Sequence, residues 1–188
     1  MRIIAGEYRG RTLASVGKGD ASAHLRPTSD RVRESLFNVL ANGAYDDAIS
    51  DARVLDLFAG TGALGLEALS RGAAHVTFVD DGTKALSLLR QNVEICRAQA
   101  NTSILRCDTR RLASNNDAAF DLVFLDPPYG KGLGEHAIAA AIKGGWVADG
   151  ALIVWEESAA INVPEQLELL DQRKYGDTRI SILQASGV

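Results

Sequence analysis

The chain has few of the residues that cross-link small secreted domains: its 188 residues include two cysteines, Cys96 and Cys107. Two cysteines form neither a disulfide framework nor a metal-binding cluster, so we expect both to be reduced and structural. No apolar run approaches the ~20 residues of a transmembrane helix, and the N-terminus has no apolar core of signal-peptide length. These absences predict a cytoplasmic protein without a membrane contact. The length suits one well-buried domain, and a compact domain without an obvious apolar stripe on its surface is expected to be a monomer.

The chain also lacks an excess of positive charge. Its net charge of −4 argues against a protein that coats nucleic acid indiscriminately. The charge is uneven, however, because residues 1–33 hold seven Lys or Arg and three acids, a local +4 that leaves −8 for the remainder. A basic end on an acidic body favours a localised contact with a polyanion, and a solvated basic terminus is the alternative.

Strand-like and helix-like segments alternate along most of the chain. Ahead of this alternating part, residues 1–13 contain two short extended segments separated by glycines, which is typical of a short β-hairpin. The small residues of 15–23 indicate a loop. The alternation predicts a seven-stranded, mostly parallel α/β sheet with an antiparallel strand near one edge. Strands are expected at 54–58, 75–80, 103–106, 121–125, 151–156, 167–173 and 178–183, and helices at about 29–42, 63–71, 83–96 and 135–143.

A glycine-rich stretch, Gly60-Thr61-Gly62, follows the first strand of the alternating part, with a third glycine at Gly65. Glycines let the backbone turn sharply and approach a ligand closely, and the helix that follows offers free N–H groups. The spacing is that of a dinucleotide-binding loop, but an aspartate, Asp56, lies inside the apolar strand before it. The loop indicates an adenosine-containing ligand and does not decide between NAD and another cofactor.

Acidic residues follow the next two strands, at Asp80 and Asp108. The carboxyl ends of parallel strands form the ligand-binding edge of such a sheet. Asp80 there can accept hydrogen bonds from ribose hydroxyls, and Asp108 can accept one from an adenine amino group. The alternative is that both simply cap the helices that follow.

The segment Asp126-Pro127-Pro128-Tyr129 follows the fourth strand. Two prolines remove two backbone donors and stiffen the chain, which leaves a carboxylate, a free carbonyl and an aromatic ring at the ligand-binding edge. Those groups suit one task, gripping a planar base by its exocyclic amine and stacking on its face. An ordinary turn requires none of them.

With these residues in place, the sequence resembles the class I S-adenosylmethionine-dependent methyltransferases that act on exocyclic amines. That class carries D-x-F-x-G-x-G, here Asp56 to Gly62, an acid ending the second strand, and [DN]-P-P-[YF] after the fourth. The resemblance implies a Rossmann-like sandwich and S-adenosyl-L-methionine as cofactor, with no metal. Gly65 then becomes a helix position that packs closely on the sheet, not part of a pyrophosphate cradle.

Residues 2–13 and 26–38 narrow the resemblance to the RsmD family, over nearly the whole chain. Its members methylate N2 of one guanine in 16S ribosomal RNA, at position 966. The expected partner is therefore 16S rRNA, within a small-subunit ribosomal particle. Asp80 departs from the glutamate of many relatives, but either carboxylate can serve a ribose. We expect residues 1–28 to form a basic RNA-contacting extension and residues 29–188 to form the methyltransferase domain.

The resemblance assigns three groups of site residues. Those expected at the transferred methyl and the base are Asp126, Pro127, Pro128 and Tyr129. Those expected at the cofactor are Asp56, Phe58, Gly60, Gly62, Asp80 and Asp108. Those expected at RNA phosphates are Arg2, Arg9, Arg11 and Arg26. Arg31, Arg33 and Glu34 are interpreted as bracing the first helix against the cofactor site, and Glu156 and Glu157 as solvated.

Three rival functions remain open from the sequence. A DNA adenine-N6 methyltransferase uses the same grip on an amine, but it commonly adds a target-recognition region for which this chain has no room. A nicotinamide oxidoreductase requires a substrate domain and a catalytic acid or base beyond the sheet. A non-catalytic RNA-binding module would not need the intact DPPY segment and glycine loop.

Overall fold

A seven-stranded sheet with the order β3-β2-β1-β4-β5-β7-β6 forms the centre of the computed structural model, which describes residues 1–15, 30–42 and 45–188. The helices are α1 (Asp30–Asn42), α2 (Ala63–Ser70), α3 (Thr83–Cys96) and α4 (Leu133–Lys143). The strands are β1 (Arg53–Leu57), β2 (His75–Asp80), β3 (Thr102–Arg106), β4 (Phe120–Leu125), β5 (Val147–Glu157), β6 (Leu167–Tyr175) and β7 (Thr178–Ala185). Short 3₁₀ turns occupy Gln99–Asn101 and Thr109–Arg111.

The sheet confirms the predicted Rossmann-like architecture. Strands β1 to β5 pair in parallel, and β7 runs antiparallel to both β5 and β6. The chain moves outward from β1 to β3 on one side and then returns to place β4 on the other side of β1. The order of strands therefore reverses between β1 and β4, and their carboxyl ends form the crevice where ligands bind in folds of this kind.

Two apolar cores cover the faces of the sheet. On one face, helices α1, α2 and α3 pack on the sheet, and the Phe37 and Phe124 ring centroids lie 5.6 Å apart. On the other face, α4 packs so closely that a Cβ on Gly134 would lie 2.5 Å from the ring of Trp155. Burial on both faces explains why β1 and β4 read as nearly continuous apolar runs.

Residues 1–15, called the N-terminal arm below, double back on themselves but form a single bridge, Arg2 to Thr12, where we predicted a hairpin of two strands. Its apolar residues Ile3, Tyr8 and Leu13 are buried against the body of the protein. Several arm amides bond to α2 instead of pairing across a hairpin, which explains the missing strands. The arm is thus an integral part of the packed core.

Several predictions fall on residues that the structure does not describe. Most of the loop predicted at 15–23 lies in the segment 16–29, outside the described residues, and so does Arg26. The proposed boundary between residues 28 and 29 stays a prediction. In the described part of the chain, Cys96 and Cys107 are free thiols, and no helix is long and apolar enough to cross a membrane.

Candidate active site

The loop after β1, residues 58–62, lies at the carboxyl end of the sheet, and we call it the glycine loop. Its backbone is left-handed at Phe58, Gly60 and Gly62, with φ values of 59°, 56° and 78°. A left-handed phenylalanine is uncommon and is concentrated at ligand sites. At Gly62 a Cβ would lie 2.3 Å from Leu89 Cδ1, so both the conformation and the packing require glycine there. The loop is therefore a compact turn with its backbone open to close approach.

Gly65 serves packing, as we predicted. A Cβ at this position in α2 would lie 2.4 Å from Phe78 Cε1 and 2.7 Å from Val76 Cγ1. Both contacts belong to β2, so the third glycine allows α2 to lie directly on the sheet. The Gly-x-Gly-x-x-Gly spacing thus contains two loop glycines and one packing glycine.

Asp80 ends β2 and fixes two backbone segments at once. Its Oδ2 accepts a hydrogen bond from the Gly60 N–H at 2.8 Å, and its Oδ1 accepts one from the Gly82 N–H at 2.8 Å. Gly82 precedes the first residue of α3. The carboxylate therefore holds the glycine loop and the start of α3 in place, and its side chain stays half-buried at the sheet edge.

Asp56 lies beneath the glycine loop, 2% exposed, where its Oδ2 accepts a hydrogen bond from the Gly65 N–H at 3.0 Å. Burial raises the pKa of Asp56 to about 8. The negative charge of the nearby Asp80 raises this pKa further, whereas the hydrogen bond from Gly65 lowers it. The ligand-free protein therefore holds this carboxyl largely protonated at neutral pH.

Asp108 follows β3 and engages its neighbour Arg110. Its carboxylate accepts hydrogen bonds from Arg110 Nε at 2.8 Å and Nη2 at 2.6 Å, and from the Arg110 N–H at 3.0 Å. The side-chain bond to Arg110 is the main reason that the pKa of Asp108 falls to about 2. The capping role that we gave as an alternative is present, and the contact with adenine stays a prediction.

The DPPY segment begins where β4 ends, directly beside the end of β1. Burial raises the pKa of Asp126 well above its usual range, and the neighbouring acids Glu156, Asp56 and Glu157 add to the effect in that order. Three parallel strands, β1, β4 and β5, thus bring four carboxyl groups to one edge. Such an edge favours a ligand that brings positive charge or hydrogen-bond donors.

The ring of Tyr129 is held by its hydroxyl group. Tyr129 Oη donates to Glu156 Oε1 at 2.6 Å and lies 3.1 Å from Thr178 Oγ1. Burial and the bond to Glu156 raise the pKa of Tyr129, so the hydroxyl remains protonated. Strands β5 and β7 together fix the orientation of this ring at the edge of the site.

Glu156 and Glu157 correct one of our predictions, because they are 8% and 7% exposed, not solvated. Strand β5 runs on to Glu157 between β4 and β7, so its last residues enter the site. Glu157 Oε1 accepts hydrogen bonds from the Gly130 N–H at 3.2 Å and the Ser158 N–H at 2.8 Å, which secures the turn after Tyr129. The sequence does place Glu156 and Glu157 at the end of a strand, where site residues are expected. Only the strand order shows that this strand lies beside β4 and the DPPY segment.

The arginines of the N-terminal arm have different surroundings. Arg9 is exposed, and Arg2 is exposed and pairs with Asp30 at 3.5 Å. Arg11 Nη1 donates to the carbonyls of Ile95 (3.1 Å) and Cys96 at the end of α3, so its guanidinium is engaged within the protein. Arg26 lies outside the described residues.

Arg33, which was expected to brace α1 against the cofactor site, is enclosed in the structure. It is 1% exposed, and its Nη2 donates to Arg2 O and to Asp30 Oδ1. Arg33 therefore braces α1 against the N-terminal arm. The apolar residues Val32 and Val39 of α1 are only half-buried, whereas Arg33 is enclosed.

Comparison with known proteins also indicates a methyltransferase. A family model described as "Conserved hypothetical protein 95" matches residues 1–184. The ribosomal RNA small subunit methyltransferase D of Escherichia coli K12 is 40% identical over 164 residues, which cover 87% of this chain and 78% of the relative.

The chain belongs to the RsmD family of methyltransferases.

Another relative and a solved structure agree with this membership. Ribosomal RNA small subunit methyltransferase D of Haemophilus influenzae is 38% identical, covering 94% of this chain and 89% of the relative. The solved structure of yhhF from Escherichia coli is 37% identical with a TM-score of 0.84, covering 99% of this chain and 98% of that one. The sheet described above is therefore the class I methyltransferase fold, whose cofactor is S-adenosyl-L-methionine.

The glycine loop and the strand-end acids fit that cofactor. A loop without side chains at Gly60 and Gly62 admits a ligand against its backbone, and Asp80 presents a half-buried carboxylate at the place where a ribose binds in this fold. S-adenosyl-L-methionine carries a positive sulfonium, which suits an edge of buried acids. Within residues 1–15, 30–42 and 45–188, no cluster of histidine, cysteine and acidic side chains could hold a metal ion.

Proposed function

We propose that this protein methylates the exocyclic N2 of one guanine in 16S ribosomal RNA, of the type at position 966, during small-subunit maturation. The observation that carries the proposal is the position of DPPY at the end of β4, directly beside the glycine loop that follows β1. RsmD relatives named as small-subunit rRNA methyltransferases support the choice of RNA.

Asp126 and the carbonyl of Pro127 are proposed to accept the two N–H hydrogens of the guanine amine. The lone pair of that nitrogen is delocalised into the ring, so the enzyme must orient it. Hydrogen bonds to the amine draw electron density onto nitrogen and aim it at the methyl group. The nitrogen becomes acidic only as the new bond forms, so a strong base is unnecessary, and positioning and electrostatics supply most of the rate.

Tyr129 is proposed to stack on the guanine after the base leaves the RNA helix. A base within a stack cannot reach the cofactor, so extrusion is required. The hydroxyl bonds from Tyr129 to Glu156 and Thr178 hold the ring before the base arrives. Pro128 limits the freedom of the backbone between the amine grip and the ring.

The cofactor would be held by groups at the ends of β1, β2 and β3. Bound S-adenosyl-L-methionine supplies an electrophilic methyl group on its sulfonium. Gly60 and Gly62 admit its methionine end against the backbone, Asp80 accepts hydrogen bonds from the ribose, and Asp108 faces the adenine. Phe58 and Asp56 shape the floor of the site beneath them.

RNA is proposed to contact the N-terminal arm through Arg2 and Arg9, and also through Arg26. Arginine contacts with phosphates release counterions, so the RNA affinity should fall steeply with salt. Arg11, which we also assigned to RNA, has its guanidinium bonded to α3. We now propose that Arg11 supports RNA binding by fixing the arm that carries Arg9.

Asp126→Asn tests the proposed amine grip. We expect methyl transfer to unmodified small subunits to fall by ~100-fold or more, while the dissociation constant for S-adenosylhomocysteine changes less than ~3-fold, a small effect on the scale of one hydrogen bond. The matched control is Asp121→Asn, because Asp121 is an exposed carboxylate near the start of β4 that accepts a hydrogen bond from the Arg53 N–H. Equal losses of binding and transfer in Asp126→Asn would show that Asp126 is mainly structural.

A further inference from the structure

Asn92 of α3 joins the N-terminal arm to the glycine loop. Its side chain is 0% exposed. Its Nδ2 donates to the carbonyl oxygens of Thr61 at 2.9 Å and Ala14 at 3.0 Å, and its Oδ1 accepts a hydrogen bond from the Ala14 N–H at 2.7 Å. A single buried amide therefore bonds to two backbone segments that are distant in sequence.

Thr61 lies between the two left-handed glycines of the glycine loop. The side chain of Asp80 fixes this loop on one side, through the N–H of Gly60. Asn92 fixes it on the other side, through the carbonyl of Thr61. Glycines are the most flexible residues of a chain, so a loop built on them keeps one shape only when such partners hold it.

Ala14 belongs to a part of the N-terminal arm that is itself firmly attached. The fully buried Glu67 of α2 accepts hydrogen bonds from the Ile4 N–H at 2.8 Å and the Ala5 N–H at 3.1 Å. Ser70 Oγ accepts one from the Tyr8 N–H at 2.8 Å. Asn92 exchanges two hydrogen bonds with Ala14, so the attached arm determines where the Asn92 amide lies.

We propose that Asn92 is a positioning residue for the cofactor. It holds the Thr61 carbonyl, and with it the glycine loop, at a fixed position relative to the N-terminal arm. The inference rests on the proposed function, because it takes the glycine loop to be the cofactor site. Within the described residues, the side chain of Asn92 bonds to Ala14 and Thr61 and makes no hydrogen bond to the DPPY segment, so it acts on the cofactor side. Its loss should weaken cofactor binding and leave the chemical step intact.

Asn92→Asp tests this role, because it keeps the shape of the side chain and replaces the two donor hydrogens with an oxygen that faces two carbonyls. The matched control is Asn101→Asp, since Asn101 donates to the Ala74 carbonyl at 3.1 Å, away from the glycine loop. The dissociation constant for S-adenosylhomocysteine is measured by calorimetry at a temperature where every variant is folded. We expect it to rise ~10-fold in Asn92→Asp, because the bond to the Thr61 carbonyl is the one that reaches the glycine loop, and to stay within ~2-fold of wild type in the control.

Kinetics separate positioning from general damage. The KM for S-adenosyl-L-methionine should rise with the dissociation constant while kcat stays within ~3-fold, because only cofactor binding is lost. Asn92→Ser, whose hydroxyl is too short to join both segments, repeats the measurement if the aspartate variant does not fold. Equal affinities of the Asn92 and Asn101 variants for S-adenosylhomocysteine would overturn this inference and leave the proposed function standing. A wild-type protein that binds no S-adenosylhomocysteine would overturn the proposed function, and this inference with it.

Discussion

Asp56→Asn should stabilise the ligand-free protein at neutral pH. The pKa of Asp56 rises from the usual 3.8 to about 8 on folding. Below pH 3.8 the carboxyl is protonated in both the folded and the unfolded state, so the pKa shift does not change the free energy of unfolding. As the pH rises toward 8 only the unfolded state loses its proton, so stability falls through this interval and levels off above it.

The magnitude follows from the same shift. At pH 7 the unfolded carboxyl has passed its pKa by about 3 units, and each unit corresponds to 1.36 kcal/mol, so the folded state loses about 4 kcal/mol. Asparagine removes this pH-dependent loss and can still accept the hydrogen bond from the Gly65 N–H. Its second polar group also needs a partner in a buried site, so we expect a net gain of about 1–3 kcal/mol.

Urea unfolding at pH 5, 7 and 9 measures the effect as the difference between Asp56→Asn and wild type. The difference should grow from pH 5 to pH 7 and then flatten above pH 8. The exposed Asp121→Asn serves as the control for exchanging a carboxyl group for an amide. A difference for Asp56→Asn that stays constant from pH 5 to pH 9 would refute a protonated Asp56.

Three further predictions concern the tyrosine ring, the packing glycine and the arm. Tyr129→Phe should lower kcat about 10-fold, because its ring loses the hydrogen bond to Glu156 that orients it at the site. Tyr175→Phe, which loses a hydroxyl bond to Ser35, should leave kcat unchanged, and equal kcat values in the two variants would refute the prediction. Gly65→Ala should cost about 1–3 kcal/mol in urea unfolding by overpacking against β2, and an unchanged midpoint would contradict the close contact. Arg9→Ala should flatten the salt dependence of RNA binding measured by filter retention, whereas Arg11→Ala should lower the unfolding midpoint; an unchanged salt slope for Arg9→Ala would rule out that contact.

The sequence predicted the helices and strands well because their apolar periods are clear. Both strands that line the crevice were located within a residue or so, and the strand-end positions of Asp80 and Asp126 follow from the general geometry of parallel sheets. The role of Gly65 was also predictable, since a glycine inside a helix that packs on a sheet indicates close contact.

The partners of polar side chains could not be predicted in the same way. Glu156 ends a strand and would ordinarily be solvated, but it is buried because β7 lies beside β5 in an order that no local pattern reveals. Arg11 looked like a phosphate contact, and the carbonyls it meets belong to a helix more than eighty residues away. Nothing in the sequence around Asn92 indicates its role, because that role depends on two backbone segments that are distant in sequence and meet only in the folded protein.

The identity of the methylated nucleoside tests the central claim most directly. The protein is incubated with methyl-labelled S-adenosyl-L-methionine and unmodified small ribosomal subunits, naked 16S rRNA or DNA, and the products are digested to nucleosides. We predict label in N2-methylguanosine from the ribosomal samples and none from DNA. Label in N6-methyladenine, or no transfer to any substrate by a protein that binds the cofactor, would contradict the account.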